Sequence, residues 1–396
     1  MVFGLDERLL NLCLGLAGFC AVSVQGQVVN GVNNFNKELK PRIVVLTDIA
    51  PGDREPDDME SMVRLLAHAD LFEIEAIVTG SGWNSGGGAY SDDWANYLHT
   101  VIDAYEADLP NLMKRSGQEN FLPIAEEEKF QEMGYWPSAD YLRSRHMMGS
   151  RYLGVDRLGK DNVSPGSDGI IRLAEEDDER PLWILVWGGG NSVAQALWQL
   201  KETGDTVRLN SVLDKLRIYT ITDQDVDWMQ RGQYDLSSHK WMRENFGDRL
   251  FFIWDESAWL SQNGIGASNW AQYEAQIQNK GKMGSVYPKY KYGVEGDTPS
   301  FLYVLPNGLS DPNQPTQGGW GGYFRYEVSP DSVTSCFTNL RNDIKEISRK
   351  YEEYFYPAIF NNFVARMDWA ANGKGNRNPE LVINGKKGLS PIVIEV

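Results

Sequence analysis

The sequence predicts an α/β protein built on a doubly wound, mostly parallel β-sheet. Short apolar runs alternate with helical patterns between residues 40 and 260, and the runs occupy 43–46, 74–78, 182–187, 218–221 and 250–254. Runs that are almost continuously apolar indicate strands covered on both faces, as in parallel sheets, rather than strands with one face exposed to water. Because such sheets bind ligands at the carboxyl ends of their strands, we expect a functional site where these runs end.

Composition limits the kinds of partner that the protein can have. The chain has 396 residues, of which 42% are hydrophobic and 12% aromatic, enough for a substantial core. Lysine and arginine number 38 against 55 acidic residues, which gives a net charge of −17. A surface this acidic repels nucleic acid and anionic membranes. We therefore expect neither as a partner, and expect cations or neutral polar ligands instead.

Residues 1–26 are predicted to be a signal peptide, because Arg8 precedes an apolar stretch that ends near small residues. A membrane anchor is the alternative, although the stretch is shorter than the roughly 20 residues that span a bilayer. A signal peptide predicts a secreted, periplasmic or extracellular protein. Its removal would take Cys13 and Cys20 and leave Cys336 alone, which excludes internal disulfides and cysteine metal sites.

The segments after residue 260 differ in composition from the alternating region. Residues 260–330 are rich in Gly, Pro, Asn, Tyr and Trp, which indicates long ordered loops. A charged helical pattern follows over 331–372. The tail after it predicts two short strands around Asn384-Gly385.

The stretch "LTDIAPGDREPDDMESMVRLL", residues 46–66, concentrates acidic residues where the first apolar run ends and a helical pattern begins. Its carboxylates are Asp48, Asp53, Glu55, Asp57, Asp58 and Glu60. Helix capping is one explanation, since Pro56 suits a first helical turn and acidic residues there offset the helix dipole. Capping does not explain Asp48, which should face Asp57 and Asp58 across the loop. Converging carboxylates repel unless a cation joins them, and oxygen ligands favour Ca²⁺ or Mg²⁺ over Zn²⁺.

Two further stretches have both a structural and a functional interpretation. "LVWGGGNSVAQAL", residues 185–197, is either a strand-to-helix turn capped by Asn191 or Ser192, or a loop whose glycines let the backbone approach a ligand. It lacks the P-loop lysine, and Val193 replaces the third Rossmann glycine, so a phosphate cradle is a minor alternative. Asp297, in "GVEGDTPSF", is either an ordinary turn residue or a ligand.

The chain also contains 13 tryptophans, several of them beside glycine-rich or polar segments. Most are expected in the core, where an aromatic ring buries a large area. A few, such as Trp83, are candidates to line a groove and stack on sugar rings.

Together, "LTDI…EPDDMESMVRLL", "SPGSDGIIRLAEEDDERPLWILVWGGGNSVAQALW" and "EGDTPSFLYVLPNGLSDP" resemble the nucleoside hydrolase superfamily. They resemble more closely the nucleoside-hydrolase-like domain of a secreted family of cellulose-binding proteins. The resemblance implies a sheet of nucleoside-hydrolase type in a domain over residues 38–370. It also implies that residues 371–396 are the truncated start of that family's C-terminal β domain, a short β-like tail.

The resemblance assigns roles to individual residues. It implies Ca²⁺ as cofactor, with ligands at Asp48, Asp57, Asp58, Asn191 and Asp297, of which Asn191 would use its backbone carbonyl. It makes Asp48 the catalytic general base. Asp57 would also grip sugar hydroxyls, and Asn84 would bind the sugar beside Trp83. The histidine that precedes the last aspartate in the superfamily is Gly296 here, so a leaving-group acid is missing.

The sequence therefore predicts a secreted Ca²⁺-dependent hydrolase of a glycosidic bond, acting on a carbohydrate rather than on a nucleoside. A non-catalytic cellulose- or polysaccharide-binding protein that retains the cation site is the first alternative. A true nucleoside hydrolase is the second. The expected partner is a carbohydrate or glycoside, and a monomer and a homo-oligomer both stay open.

Overall fold

A mixed β-sheet forms the centre of the computed structural model, which describes residues 39–85, 88–225, 234–290 and 292–376, with short strands at 382–383 and 386–387. The strands of this sheet are β1 (Arg42–Thr47), β2 (Glu73–Thr79), β3 (His146–Met148), β4 (Leu182–Val186), β5 (Leu216–Ile221), β6 (Phe251–Asp255), β7 (Arg325–Val328) and β8 (Ser335–Thr338). Their order across the sheet is β3-β2-β1-β4-β5-β6-β8-β7.

All neighbouring strands pair in parallel except β7 and β8, which form an antiparallel edge. Each apolar run singled out in the sequence lies in one of the parallel strands. The doubly wound, mostly parallel α/β prediction is thus confirmed. Strands β3, β7 and β8 escaped sequence reasoning because they have only three or four residues and are only partly buried, so no long apolar run marks them.

Thirteen α-helices accompany the sheet in the described part of the chain. They are α1 (Pro56–Leu66), α2 (Ala95–Ser116), α3 (Ile124–Glu127), α4 (Ala139–Ser144), α5 (Pro165–Ala174), α6 (Gly190–Glu202), α7 (Thr206–Lys215), α8 (Ser238–Phe246), α9 (Ala258–Ser268), α10 (Trp270–Gln276), α11 (Gly281–Val286), α12 (Thr298–Val304) and α13 (Asn342–Asn372).

The hydrophobic core has two parts, one on each face of the sheet. Along β1, Ile43 and Val45 pack into one cluster while Val44 and Leu46 pack into the other, since successive side chains of a strand point to opposite faces. All four are fully buried. Residues 43–46 therefore form a continuous apolar run in the sequence. Asp48 directly follows β1, at the carboxyl edge of the sheet.

The prediction of long loops over 260–330 was wrong in part. Helices α9 to α12 occupy much of this segment, and β7 begins near its end. The glycine-containing sequence of α9, "AWLSQNGIGAS", has no apolar stripe at helical spacing, so periodicity could not reveal it. Its helical form depends instead on packing and on Asp255, whose carboxylate accepts hydrogen bonds from the N–H groups of Ala258 and Trp259.

The two ends of the chain are described only in part. The predicted signal peptide, 1–26, lies outside the described residues. The tail forms two short antiparallel strands, β9 (Val382–Ile383) and β10 (Lys386–Lys387), which agrees with the predicted pair of strands. The turn residues 384–385 are not described, and the domain limits at 38, 370 and 371 stay predictions. Among the described residues, no helix has the length and apolar character needed to cross a bilayer.

Candidate metal centre

Asp48 lies at the end of β1 between two glycine turns. A Cβ atom on Gly82, after β2, or on Gly188, after β4, would collide with the Asp48 carboxylate. Glycine is needed at both positions because only a missing side chain leaves room for this carboxylate. Asp48 is buried, with 1% of its surface exposed. The two glycine loops therefore form a cradle around one charged group.

The first turn of α1 supplies two more carboxylates. Pro56 is its first residue, as the sequence predicts, and Asp57 and Asp58 follow it. Asp58 is buried and accepts hydrogen bonds from the Thr47 hydroxyl and from the backbone N–H of Asp48. Burial, followed by the charge of Asp57, raises the pKa of Asp58 to about 8. This carboxylate is therefore costly to ionise without a compensating cation.

Asp297 joins the same cluster from the segment that leads into α12. It is buried, and its Oδ2 atom accepts no hydrogen bond from any described residue. Burial and then the charges of Asp58, Asp57 and Asp48 raise the pKa of Asp297 well above its usual value. The structure thus brings together the four carboxylates proposed as ligands, although they are up to 249 positions apart in the sequence.

Glu55 is a member of this cluster that the sequence analysis did not assign to the site. Carboxylate oxygens of Glu55, Asp57 and Asp58 lie within 4.8 Å of one another. Burial and the charges of Asp57 and Asp48 raise the pKa of Glu55 well above its usual value. The sequence feature that could have assigned Glu55 to the site is its position directly before Pro56, within the acidic stretch. Glu55 and Asp57 are partly exposed whereas Asp58 is buried, so the cluster is open to solvent on one side.

The described part of the chain does not balance the charges of Asp57, Asp58 and Asp297. Asp57, Asp58 and Asp297 form no ion pair with any lysine or arginine of the described segments. Unpaired buried charges are expensive, and carboxylates that share a site raise each other's pKa. An oxygen-rich cluster in which Asp57, Asp58 and Asp297 have no cationic partner among the described residues fits a hard divalent ion such as Ca²⁺. The residues present therefore suit the predicted cofactor, whose binding stays a prediction.

Asn191 differs from the other predicted ligands. It is the second residue of α6 and is fully buried, and its side-chain amide donates to the Gly154 carbonyl. The contact with Asp48 is made by Gly188, three residues earlier. Its predicted role as a backbone ligand is therefore not supported by a described contact and stays a prediction.

Two residues assigned to the substrate lie in the short 3₁₀ turn Trp83–Ser85 that follows β2. The Trp83 N–H donates to Gln224 Oε1 at 3.3 Å, and its ring meets the Trp259 ring edge to face, with 6.2 Å between the centroids. Both tryptophans are half-buried. The side chain of Asn84 is not among the described groups, so its predicted sugar contact lies outside the description.

Three residues near the cluster escaped sequence reasoning because they come from other elements. Gln224, after β5, donates to the Trp187 carbonyl and would be 2.7 Å from a Cβ atom on Gly82. Trp259 and Asn263 project from α9, one helical turn apart. The buried Oδ1 of Asn263 has no hydrogen-bond partner among the described residues. In the sequence, the only sign of a role for Gln224 is its position just after an apolar run. No sequence pattern indicates a role for Asn263.

Position 296, where the sequence has glycine in place of the expected histidine, has little room for a side chain. A Cβ atom at this position would lie 2.6 Å from Asp57 Oδ2 and 3.1 Å from Asn263 Oδ1. A larger residue would therefore displace the Asp57 carboxylate. The glycine at position 296 therefore leaves room for the Asp57 carboxylate in the cluster.

The chain is similar to known proteins in sequence and in fold. Residues 42–324 match the family described as "Cellulose-binding Sde182, nucleoside hydrolase-like domain". A solved structure from Saccharophagus degradans, described as a nucleoside hydrolase-related hypothetical protein associated with carbohydrate metabolism, is 30% identical in sequence. The alignment covers 89% of this chain and 77% of that one, with a TM-score of 0.70.

A plant nucleoside hydrolase is a much weaker structural match, with 8% identity, 84% of this chain and 99% of that one covered, and a TM-score of 0.36. A search of curated proteins found no match. The profile match covers more than half of the chain, and the Saccharophagus protein is similar over most of it. The chain belongs to the family of nucleoside hydrolase-like domains of cellulose-binding Sde182.

Proposed function

We propose that this protein is a secreted, Ca²⁺-dependent hydrolase that cleaves a glycosidic bond in a carbohydrate rather than in a nucleoside. The observation that supports it best is the convergence of Asp48, Asp57, Asp58 and Asp297, the last three with no lysine or arginine of the described segments paired to them. An enzyme that activates water with a cation needs such a cluster of hard oxygen ligands at an accessible place.

The chain's own groups suit a simple displacement. A bound Ca²⁺ would supply a water molecule of lowered pKa. Asp48, in its glycine cradle, would accept the proton of this water as the water oxygen attacks the anomeric carbon with inversion of configuration. The glycosidic bond at that carbon would break, and the departing oxygen would take a proton from solvent. Asp57, at the open side, would bind sugar hydroxyls. The buried Asp58 and Asp297 would hold the cation.

A carbohydrate is favoured over a nucleoside by the surroundings of the cluster. The half-buried rings of Trp83 and Trp259 offer apolar faces to a sugar ring at the open side. Gly296 leaves no histidine to protonate a departing base. The family name and the Saccharophagus protein both point to carbohydrates, and the charge of −17 argues against nucleic acid.

Gly296 also supports a second candidate function, that of a non-catalytic polysaccharide-binding protein whose cation site helps to bind the ligand. The described residues around Asp57 offer Asn263 but no acid in the place of the histidine. In this case the aromatic pair would bind sugar, and the cation would order hydroxyl groups without turnover.

Turnover and binding assays separate these functions. Purified protein should hydrolyse at least one aryl glycoside or oligosaccharide with Ca²⁺ but not with EDTA, and should release no base from inosine or uridine. Asp48→Asn should abolish turnover, whereas Asp53→Asn, an exposed change in the same loop, should not. Cellulose binding that survives Asp48→Asn, with no turnover by the parent protein, would favour the binding function. Metal-dependent release of a nucleobase would contradict the carbohydrate assignment.

A further inference from the structure

We propose that Glu295 is a positioning residue for the candidate cation site, because its contacts with α1 hold together the two elements that carry the site's carboxylates. The inference rests on the proposed function in one respect, since it takes these carboxylates to be cation ligands. Glu295 itself is fully buried and is not part of the carboxylate cluster.

The two elements are α1, which carries Asp57 and Asp58, and the segment before α12, which carries Asp297. Two residues of α1 beyond these ligands contact this segment. Glu60 Oε2 accepts a hydrogen bond from the Glu295 backbone N–H at 2.8 Å. Ser61 Oγ lies 3.0 Å from the hydroxyl oxygen of Thr298. These contacts lie on both sides of Asp297 along the chain.

The third contact is a buried ion pair between Arg64, near the end of α1, and the Glu295 carboxylate, with 1% and 0% of the two side chains exposed. Arg64 is fixed in turn, since it donates to the Ile359 carbonyl at 2.7 Å and lies over the Phe363 ring. The Arg64–Glu295 pair therefore joins α1, α13 and the Asp297 segment. We call the contacts of Glu60, Ser61 and Arg64 with this segment the α1 clamp.

The α1 clamp holds the backbone of Glu295 in an unfavourable conformation. Its φ angle is +52°, in the left-handed region that a residue with a side chain rarely adopts. Besides Arg64, the carboxylate accepts hydrogen bonds from the hydroxyls of Tyr287 at 3.1 Å and Tyr273 at 3.2 Å, and from Gln262 at 3.2 Å. Such an unfavourable conformation persists only where surrounding contacts over-determine it. Two residues later, the chain presents Asp297 to the cluster.

The need for a clamp follows from the charges that it holds together. Asp57, Asp58 and Asp297 repel one another before a cation arrives, and the Asp297 segment could relieve this repulsion by moving away from α1. A site that is held ready needs no reassembly when the ion binds. Outer contacts that orient metal ligands typically contribute about 10–100-fold to metal affinity. Glu295 should therefore raise Ca²⁺ affinity without touching the ion.

The test compares two buried glutamates with similar ion pairs at opposite ends of the sheet. Glu295→Gln removes the charge that pairs with Arg64. Glu75→Gln is the control, because Glu75 is also buried and pairs with Arg42 at 2.5 Å, near the amino ends of the strands. Isothermal titration with CaCl₂ on folded protein should show about 10–100-fold weaker binding for Glu295→Gln. Glu75→Gln should bind Ca²⁺ like the wild type, even if it melts at a lower temperature.

A milder variant protects the test against misfolding. Tyr287→Phe removes one hydrogen bond to the Glu295 carboxylate and should weaken Ca²⁺ binding in the same direction by a smaller factor. Wild-type affinity in both Glu295→Gln and Tyr287→Phe would overturn the inference. Equal weakening by Glu75→Gln would also overturn it, because the effect would then be general destabilisation. Failure of the wild type to bind Ca²⁺ at all would overturn the proposed function as well, so the wild-type titration separates the two failures.

Discussion

The two edges of the parallel sheet treat buried carboxylates in opposite ways. At the amino edge, Arg42 pairs with Glu75 at 2.5 Å, and Arg180 pairs with Glu73 at 2.8 Å and with Asp178 at 2.6 Å. At the carboxyl edge, Asp57, Asp58 and Asp297 have no such partner among the described residues. Both sets of carboxylates are buried or partly buried in the same fold, so burial alone does not account for the difference.

The pKa values follow this contrast, with one instructive exception. Burial raises the pKa of Asp178, but hydrogen bonds from Arg180 outweigh it, and the net pKa is lowered. Burial raises the pKa of Asp58 to about 8, where no cation opposes it. Glu75 is the exception, because burial raises its pKa to about 7 despite Arg42. In the described part of the chain, arginines therefore pair with Glu73, Glu75 and Asp178 at the amino edge, whereas Asp57, Asp58 and Asp297 pair with none.

The largest expected effect is on the pH dependence of the metal-free protein. The folded chain keeps the proton of Asp58 up to about pH 8, whereas the unfolded chain loses it near 3.8. The contribution to stability is therefore full below the unfolded pKa and is lost as the pH rises towards the folded pKa. At about 1.4 kcal/mol per unit, the shift of Asp58 from 3.8 to about 8 sets an upper bound of about 6 kcal/mol. Urea unfolding in EDTA from about pH 5 to about pH 8 measures this loss.

Glu75 at the amino edge also titrates in this range, with a pKa raised by burial to about 7, so the informative quantity is the difference in stability between wild type and Asp58→Asn. This variant should lose less stability over the same pH range, because it has no proton to retain. Saturating Ca²⁺ should remove the difference in slope by favouring the ionised carboxylate. Parallel pH profiles for the two proteins in EDTA would contradict the contrast between the edges.

The next effect is at the amino edge, where removing a protein cation should be costly. Arg42→Met leaves Glu75 buried without its partner and should lower the free energy of unfolding by about 3 kcal/mol. The loss should be the same with Ca²⁺ and with EDTA, because Arg42 is at the opposite end of β1 from Asp48. Denaturant titrations in the two buffers provide the measurement. A loss that Ca²⁺ reverses would show that the edges are coupled.

Added Ca²⁺ should stabilise the protein through the carboxyl edge. At a free concentration one hundred times the dissociation constant, a ligand specific for the folded state contributes about 2.7 kcal/mol. Asp58→Asn should lose most of this gain, since it removes a buried charge from the cluster at nearly constant shape. Asp53→Asn, in the exposed part of the same loop, should keep it. Thermal melts across a Ca²⁺ series would refute the site if all three proteins responded equally.

The smallest expected effect is on the free energy of unfolding, which aspartate-to-asparagine substitutions should change in opposite directions at the two edges. Asp297→Asn should stabilise the metal-free protein at about pH 8 by about 1 kcal/mol, because burial raises the pKa of Asp297 and the folded chain must keep a proton that the unfolded chain releases. Asp178→Asn should destabilise the protein under the same conditions, since Arg180 would lose a partner. Adding Ca²⁺ should make Asp297→Asn less stable than the wild type. Destabilisation by Asp297→Asn in EDTA would show that this carboxylate has a protein partner after all.

The sequence by itself determined the central strands and one part of the site. Five mainly apolar runs became parallel strands because a strand buried on both faces needs apolar side chains at most positions. The acidic stretch also marked the carboxyl edge correctly, since Asp48 ends β1 and Pro56 starts α1. Both signals are local, as they depend on neighbours within a few positions along the chain.

Only the tertiary structure decided which distant residues meet at this edge. Gly82 and Gly188 are at the ends of different strands, and their contact with Asp48 depends on β1 lying between β2 and β4. Asn263 gave no signal because α9 has no periodic pattern. The segment of Glu295 reads as an ordinary turn, although its buried carboxylate pairs with Arg64, 231 positions earlier. Apolar patterning records whether a residue is buried, whereas charge partners depend on how strands are ordered and helices packed.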